Sequence, residues 1–184
     1  MEYIIEKHRD GLNRADVASI AHEARQKAEA EPERAAAHLR RLFLASMIWG
    51  YADTDNRGPW RTKEILRSPG LDNALERTAH FLRENRMDKA YDSFRQATVR
   101  YCGPAFSTKY LYFLGQAIDE RSYPLIFDSR VRESLELPEL LGKGKLREYA
   151  IAIPRHETKT NVNLERDECL AYLNLMRQWA GKLD

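Results

Sequence analysis

The sequence predicts an all-α protein, one compact helical domain with at most minor β content. Three observations carry that expectation. Apolar residues recur at spacings of three and four through most of the chain, which is the period of helices that bury one face. Between these stretches stand Asn, Asp, Pro and Gly in places that start or stop helices, such as Asn13, Pro32, SPG at 68–70 and GP at 103–104. Strand-like text is confined to two short runs, PLIF and AIAIP. With 184 residues, 43% of them hydrophobic and 32% charged, the chain suits a single globular core, and it carries no internal repeat or low-complexity linker.

Asn13 caps a first helix that runs to about Glu29, and Pro32 suits the first turn of a second, which runs to about Gly50. In that second helix Ala36, Leu39, Phe43, Met47 and Gly50 share a face, flanked by Leu42, Ala45, Ile48 and Trp49. So broad an apolar surface marks a central, largely buried helix. YADTDNRGPW then reads as a loop. A short helix around Arg61 to Arg67 ends at SPG, and Leu71, Leu75, Ala79 and Leu82 define the next, to about Glu84. Asp88 can cap another, whose positions Ala90, Tyr91, Phe94, Ala97 and Thr98 lead to Tyr101. After the break CGPAFS, two adjacent stripes follow: Leu111, Leu114 and Ile118, then Tyr110, Phe113 and Ala117. A helix apolar around so much of its circumference must be buried. PLIF is either a short strand or an extended turn into a helix after Asp128. Residues 136–163 are the least legible, with AIAIP strand-like and ETKTNVN a polar loop. A last helix, about Leu164 to Lys182, presents Leu170, Leu173, Met176 or Arg177, and Ala180.

Composition narrows the function classes. A net charge of +2 and a pI near 8.5 do not advertise a nucleic-acid binder, so any basic surface must be local. MEYIIEKHRDG lacks the apolar stretch of a signal peptide and no window approaches a membrane span, so a cytoplasmic protein without a membrane partner is expected. Cys102 and Cys169 cannot build a disulfide framework or a four-ligand metal site, and the five histidines are scattered. No metal and no cofactor are assigned.

What remains is a charge at each of two turns: Lys109 just inside an amphipathic helix, and Asp128, nineteen residues later, ending an apolar run. Taken alone, Asp128 before SRVRESL is an ordinary N-cap residue and Lys109 an ordinary surface lysine. Together with the tight turn before the lysine helix they form a pattern. The chain resembles the helix–hairpin–helix DNA glycosylases at KYLYF and PLIFD. Within that superfamily it looks most like the small bacterial 8-oxoguanine DNA glycosylase (OGG)-like proteins, through WGYADTDNRGPWR, GPAFSTKYLYF and PLIFDSRV in that order. Motifs cover roughly residues 40–135.

That resemblance implies a helical domain containing a helix–hairpin–helix motif, active on double-stranded DNA containing a modified base that is flipped out, with strand cleavage at the abasic site as an associated activity. It makes Lys109 the nucleophile and Asp128 the essential carboxylate. The chemistry asks for the same pair. Breaking a base–sugar bond develops positive charge at C1′, which a fixed carboxylate stabilises. An amine can attack C1′, expel the base and form a Schiff base with the opened sugar, after which elimination cuts the strand. The amine must be neutral, so its pKa must fall, through burial and through the positive end of its own helix.

The hairpin around Gly103, Ser107 and Thr108 is expected to hold DNA phosphate on backbone N–H groups. Ala105 and Ser107 stand where the commonest hairpin of the superfamily has glycine, and Pro104 removes a donor. Base flipping also calls for an inserted side chain. In this superfamily it comes from the loop after the central helix, Tyr51 to Arg61. There Arg57 and Arg61 can hold phosphates or the orphaned base and Tyr51 or Trp60 can stack, unless Trp60 anchors the loop on the core. Lys143, Lys145 and Arg147, with Arg130 and Arg132, can extend a basic face. Larger 8-oxoguanine glycosylases carry a β-rich N-terminal domain for which this chain has no room. 8-Oxoguanine is therefore the base implied by the family, with a bulky modified cytosine of phage DNA as the alternative. A non-catalytic DNA-binding module and a helical protein-interaction domain compete from outside the enzyme class.

Overall fold

Helices occupy most of the chain because nearly every period-3.6 apolar stretch finds a partner to bury against. A computed structural model describes residues 11–50, 57–137, 139–143, 145, 148 and 164–182, and no strand occurs among them. The first helix, α1 (Arg14–Ala30), opens with a reciprocal cap: Asp16 N–H donates to Asn13 Oδ1 (3.0 Å) and Asn13 N–H to Asp16 Oδ2 (2.9 Å). Pro32–Arg34 form one 3₁₀ turn leading into α2 (Ala35–Gly50), so Pro32 starts the approach to the second helix rather than its first α turn. Leu39, Leu42, Phe43, Ala45 and Met47 of α2 are buried, whereas Ile48 is exposed. Helix α2 packs against α1, α4 (Leu71–Arg83) and α6 (Pro104–Ile118).

Several helix boundaries differ from the sequence expectation. Helix α3 (Arg57–Leu66) begins inside the expected loop and absorbs RGPW. Pro59 is tolerated there because it falls in the first turn, where no intrahelical N–H bond is lost. Helix α5 (Met87–Gln96) has Arg86 at its N-cap position, without a side-chain cap, and Asp88 inside its first turn, and it stops well short of Tyr101. The chain turns left-handed at Thr98 (φ 56°) and again at Tyr101 (φ 63°), and Val99 N–H closes the helix on Phe94 O at 3.1 Å. Helix α6 starts at Pro104, with Gly103 as N-cap, so most of GPAFS is helix rather than break.

Helix α6 is the axis of the domain, buried without interruption from Ser107 to Gly115. The rings of Phe43, Phe94 and Tyr110 meet at 5.9–6.0 Å and join α2, α5 and α6, while the Tyr110 hydroxyl donates to Leu75 O of α4 (3.2 Å). PLIF takes the extended-turn alternative and leads into α7 (Ser129–Leu135), capped by Asp128. The last helix, α8 (Leu164–Ala180), lies on α5 and α6, and Arg166 binds both Asp92 (3.0 Å) and Asp167 (2.9 Å). The described helices make one compact domain. AIAIP and ETKTNVN lie outside the described residues, and no described helix is long and apolar enough to cross a membrane.

Candidate active site

Lys109 stands in the second turn of α6, on a helix that is otherwise apolar or small there, and is only 9% exposed. Its Nζ donates to Ala105 O at 2.7 Å and lies 6.0 Å from the centre of the Phe106 ring. Gly50, the last residue of α2, lies against its stem. A Cβ at Gly50 would come within 2.5 Å of Lys109 Cδ and 2.6 Å of Cε. Any side chain at Gly50 would therefore force the flexible Lys109 stem to move.

Burial pushes the Lys109 pKa below the ordinary lysine value, Asp128 opposes that shift and Arg130 adds to it. The positive end of α6 has little part, because that field fades beyond a helix's first turn and Lys109 lies past it. Desolvation is the larger of the two causes expected from the sequence.

Asp128 faces the amine from another element. Its carboxylate caps α7, accepting from Val131 N–H at 3.0 Å, and its charge reaches both Lys109 and the Tyr172 phenol of α8. Burial first and Asp128 second push the Tyr172 pKa up, so the phenol keeps its proton. Two stitches hold the segment before Asp128 onto α6. Thr108 Oγ1 donates to Pro104 O (2.6 Å) and accepts from Phe127 N–H (2.9 Å). A Cβ at Gly115 would lie 2.6 Å from Pro124 Cδ and 3.0 Å from Tyr123 Cβ, so its absence lets this segment lie directly on the helix.

The structure thus brings Lys109 and Asp128 together from two turns. It places the DNA-facing candidates differently. Thr108 is fully buried and its hydroxyl is committed to the stitch; Ser107 is also buried, with its hydroxyl on Gly103 O at 3.3 Å. Gly103 is exposed at the hairpin. Trp60 is 51% exposed and meets Tyr101 (52% exposed) edge-on at 5.2 Å, so it does not anchor the loop on the core. Arg61 lies 6.0 Å from the Phe106 ring, the ring that also neighbours Lys109 Nζ. Tyr51 and Arg147 lie outside the described residues, as does the side chain of Arg57, the first residue of α3. Arg132 pairs with Glu168 over the Phe127 ring, and Lys145 pairs with Glu148 at 2.7 Å.

Between α3 and the hairpin runs an open groove of about 470 Å³, lined by Arg61, Arg95, Arg100, Tyr101, Cys102 and Gly103 among others. Sequence reasoning missed Gly50 as a neighbour of the lysine, and also missed Phe106, Tyr101 and Tyr172. For Gly50 a signal existed, since a glycine ending a central helix invites the question of what approaches it. For Tyr172 none did.

A partly buried carboxylate beside a desolvated amine can deliver a neutral nitrogen nucleophile and stabilise positive charge beside it. Neither the curated proteins nor the solved structures yield a significant match to the chain. The family model described as "Putative 8-oxoguanine DNA glycosylase OGG-like protein" matches residues 3–184. With nearly its whole length matched, the chain belongs to this OGG-like family of DNA glycosylases.

Proposed function

We propose that this protein excises a modified base from duplex DNA with Lys109 as nucleophile and Asp128 as the carboxylate that steadies the reacting sugar. The family suggests a DNA glycosylase and DNA as its partner. The observation that carries the finer reading is the buried amine of Lys109, its pKa pushed down by that burial, beside a carboxylate fixed by the α7 cap.

The base is flipped into the space before Lys109. As the C1′–N bond lengthens, positive charge grows on the sugar and Asp128 stabilises it. The neutral amine attacks C1′, the base departs, and Asp128 accepts the proton that the amine then sheds. Ring opening leaves a Schiff base, from which elimination cuts the strand at the abasic site. The base implied by the family is 8-oxoguanine.

Mass spectrometry of released bases tests this, with oxidised DNA and phage DNA carrying modified cytosine offered in parallel. Wild type is expected to release one modified base, and Lys109→Gln and Asp128→Asn to release none. DNA binding without release from either pool would make the protein a binding module instead.

A further inference from the structure

The hairpin carries a feature that neither the nucleophile nor its carboxylate uses. Tyr101 and Trp60 expose half their surface, and their rings meet edge to face at 5.2 Å. Tyr101 also holds a left-handed backbone (φ 63°), a conformation uncommon for any residue but glycine, asparagine or aspartate. Burial does not compensate that cost, since the ring projects into solvent. Strain retained at an exposed aromatic suggests a ligand.

The surroundings say which kind. Among the described residues, the groove beside Tyr101 is lined by Arg61, Arg95 and Arg100 and by no acidic side chain. Of these, Arg95 makes a long contact of 3.5 Å with Asp92. Burial pushes the Cys102 thiol well above its ordinary pKa, so it adds apolar wall rather than charge. Exposed aromatic faces beside a cationic groove are what unpaired nucleotides bind: the arginines take the backbone phosphates and the rings stack the bases. A base inside a duplex offers no free face, so the groove distinguishes unpaired from paired DNA.

We infer that the Trp60–Tyr101 pair and the arginine groove form a second nucleotide site, which binds an unpaired nucleotide of the DNA strand outside the base pocket. The Phe106 ring, shared by Arg61 and Lys109 as neighbours, puts this site next to the nucleophile. The inference rests on the DNA reading above, but it needs neither a particular excised base nor catalysis.

The test is a binding titration of the full chain with unmodified DNA: a blunt duplex, the same duplex with a short single-stranded gap, and oligo-dT. Tyr101→Asn removes the ring while tolerating the left-handed turn, and Trp60→Ala acts at an exposed helix position. Tighter binding to gapped than to blunt DNA is expected, with each variant losing about tenfold or more on gapped DNA and oligo-dT and little on blunt duplex. Equal affinities for all three DNAs, unchanged in both variants, would overturn this site while leaving the glycosylase reading standing. No DNA binding under low salt would overturn both.

Discussion

At the scale of single residues, the proposed chemistry turns on the charge of one amine. Because burial and Arg130 hold the Lys109 pKa down, the neutral amine appears at lower pH than on an ordinary lysine. Single-turnover base release should therefore rise with pH and level off below the ordinary lysine value. In Arg130→Glu, where a negative charge replaces a positive one, the rise should move to higher pH; an unmoved profile would show that the titration belongs to another group. The same shift has a stability counterpart. Below its lowered folded pKa the buried ammonium is present and its desolvation is carried in full. Between the folded and unfolded values the unfolded chain binds more protons, so stability rises with pH. Lys109→Met should accordingly unfold at a higher temperature than wild type at mildly acidic pH, with the gap narrowing as pH rises towards the ordinary lysine value. Of these residues, Lys109 and Asp128 could be named as candidates from the sequence, through the resemblance at KYLYF and PLIFD. Tyr172 was not, because its approach to Asp128 depends on where α8 docks.

Elements, rather than residues, set the geometry of the pair. Helix α2 ends on Gly50 against the Lys109 stem, and the stem is flexible where a backbone is not. Gly50→Ala should therefore leave the fold in place and displace the amine. Its base release should fall about tenfold or more, a loss of at least ~1.4 kcal/mol of transition-state stabilisation, at an unchanged melting temperature. A melting temperature lowered in step with activity would mean that Gly50 serves packing alone. Thr108→Val removes the acceptor for the buried Phe127 N–H and should cost about 1–3 kcal/mol of stability, read by denaturant titration. The helices themselves were legible because apolar period follows burial. Their ends were less so: Pro59 reads as a breaker although a first turn tolerates it, and neither Thr98 nor Tyr101 announces a left-handed turn in its residue type.

Over the whole molecule, α8 closes the domain through charge as well as through apolar packing. Arg166 joins Asp92 and Asp167, whose side chains are 4% and 7% exposed. Asp92→Ala would leave part of that charge unbalanced in the interior and should destabilise the domain by about 3 kcal/mol, lowering the melting temperature by about 6–12 °C for a chain of this size. The all-helical class was legible because the apolar period is helical nearly throughout. The α5–α8 ion network was not, since a buried aspartate on an amphipathic helix looks like any surface aspartate until its partner docks. The proposed activity rests on one amine, and its most direct test is covalent trapping. Borohydride reduction of the protein with DNA containing an abasic site, followed by peptide mass spectrometry, should place the sugar on Lys109 and yield no adduct in Lys109→Gln. An adduct on another lysine, or none while the wild type still releases base, would contradict the assignment of Lys109 as nucleophile.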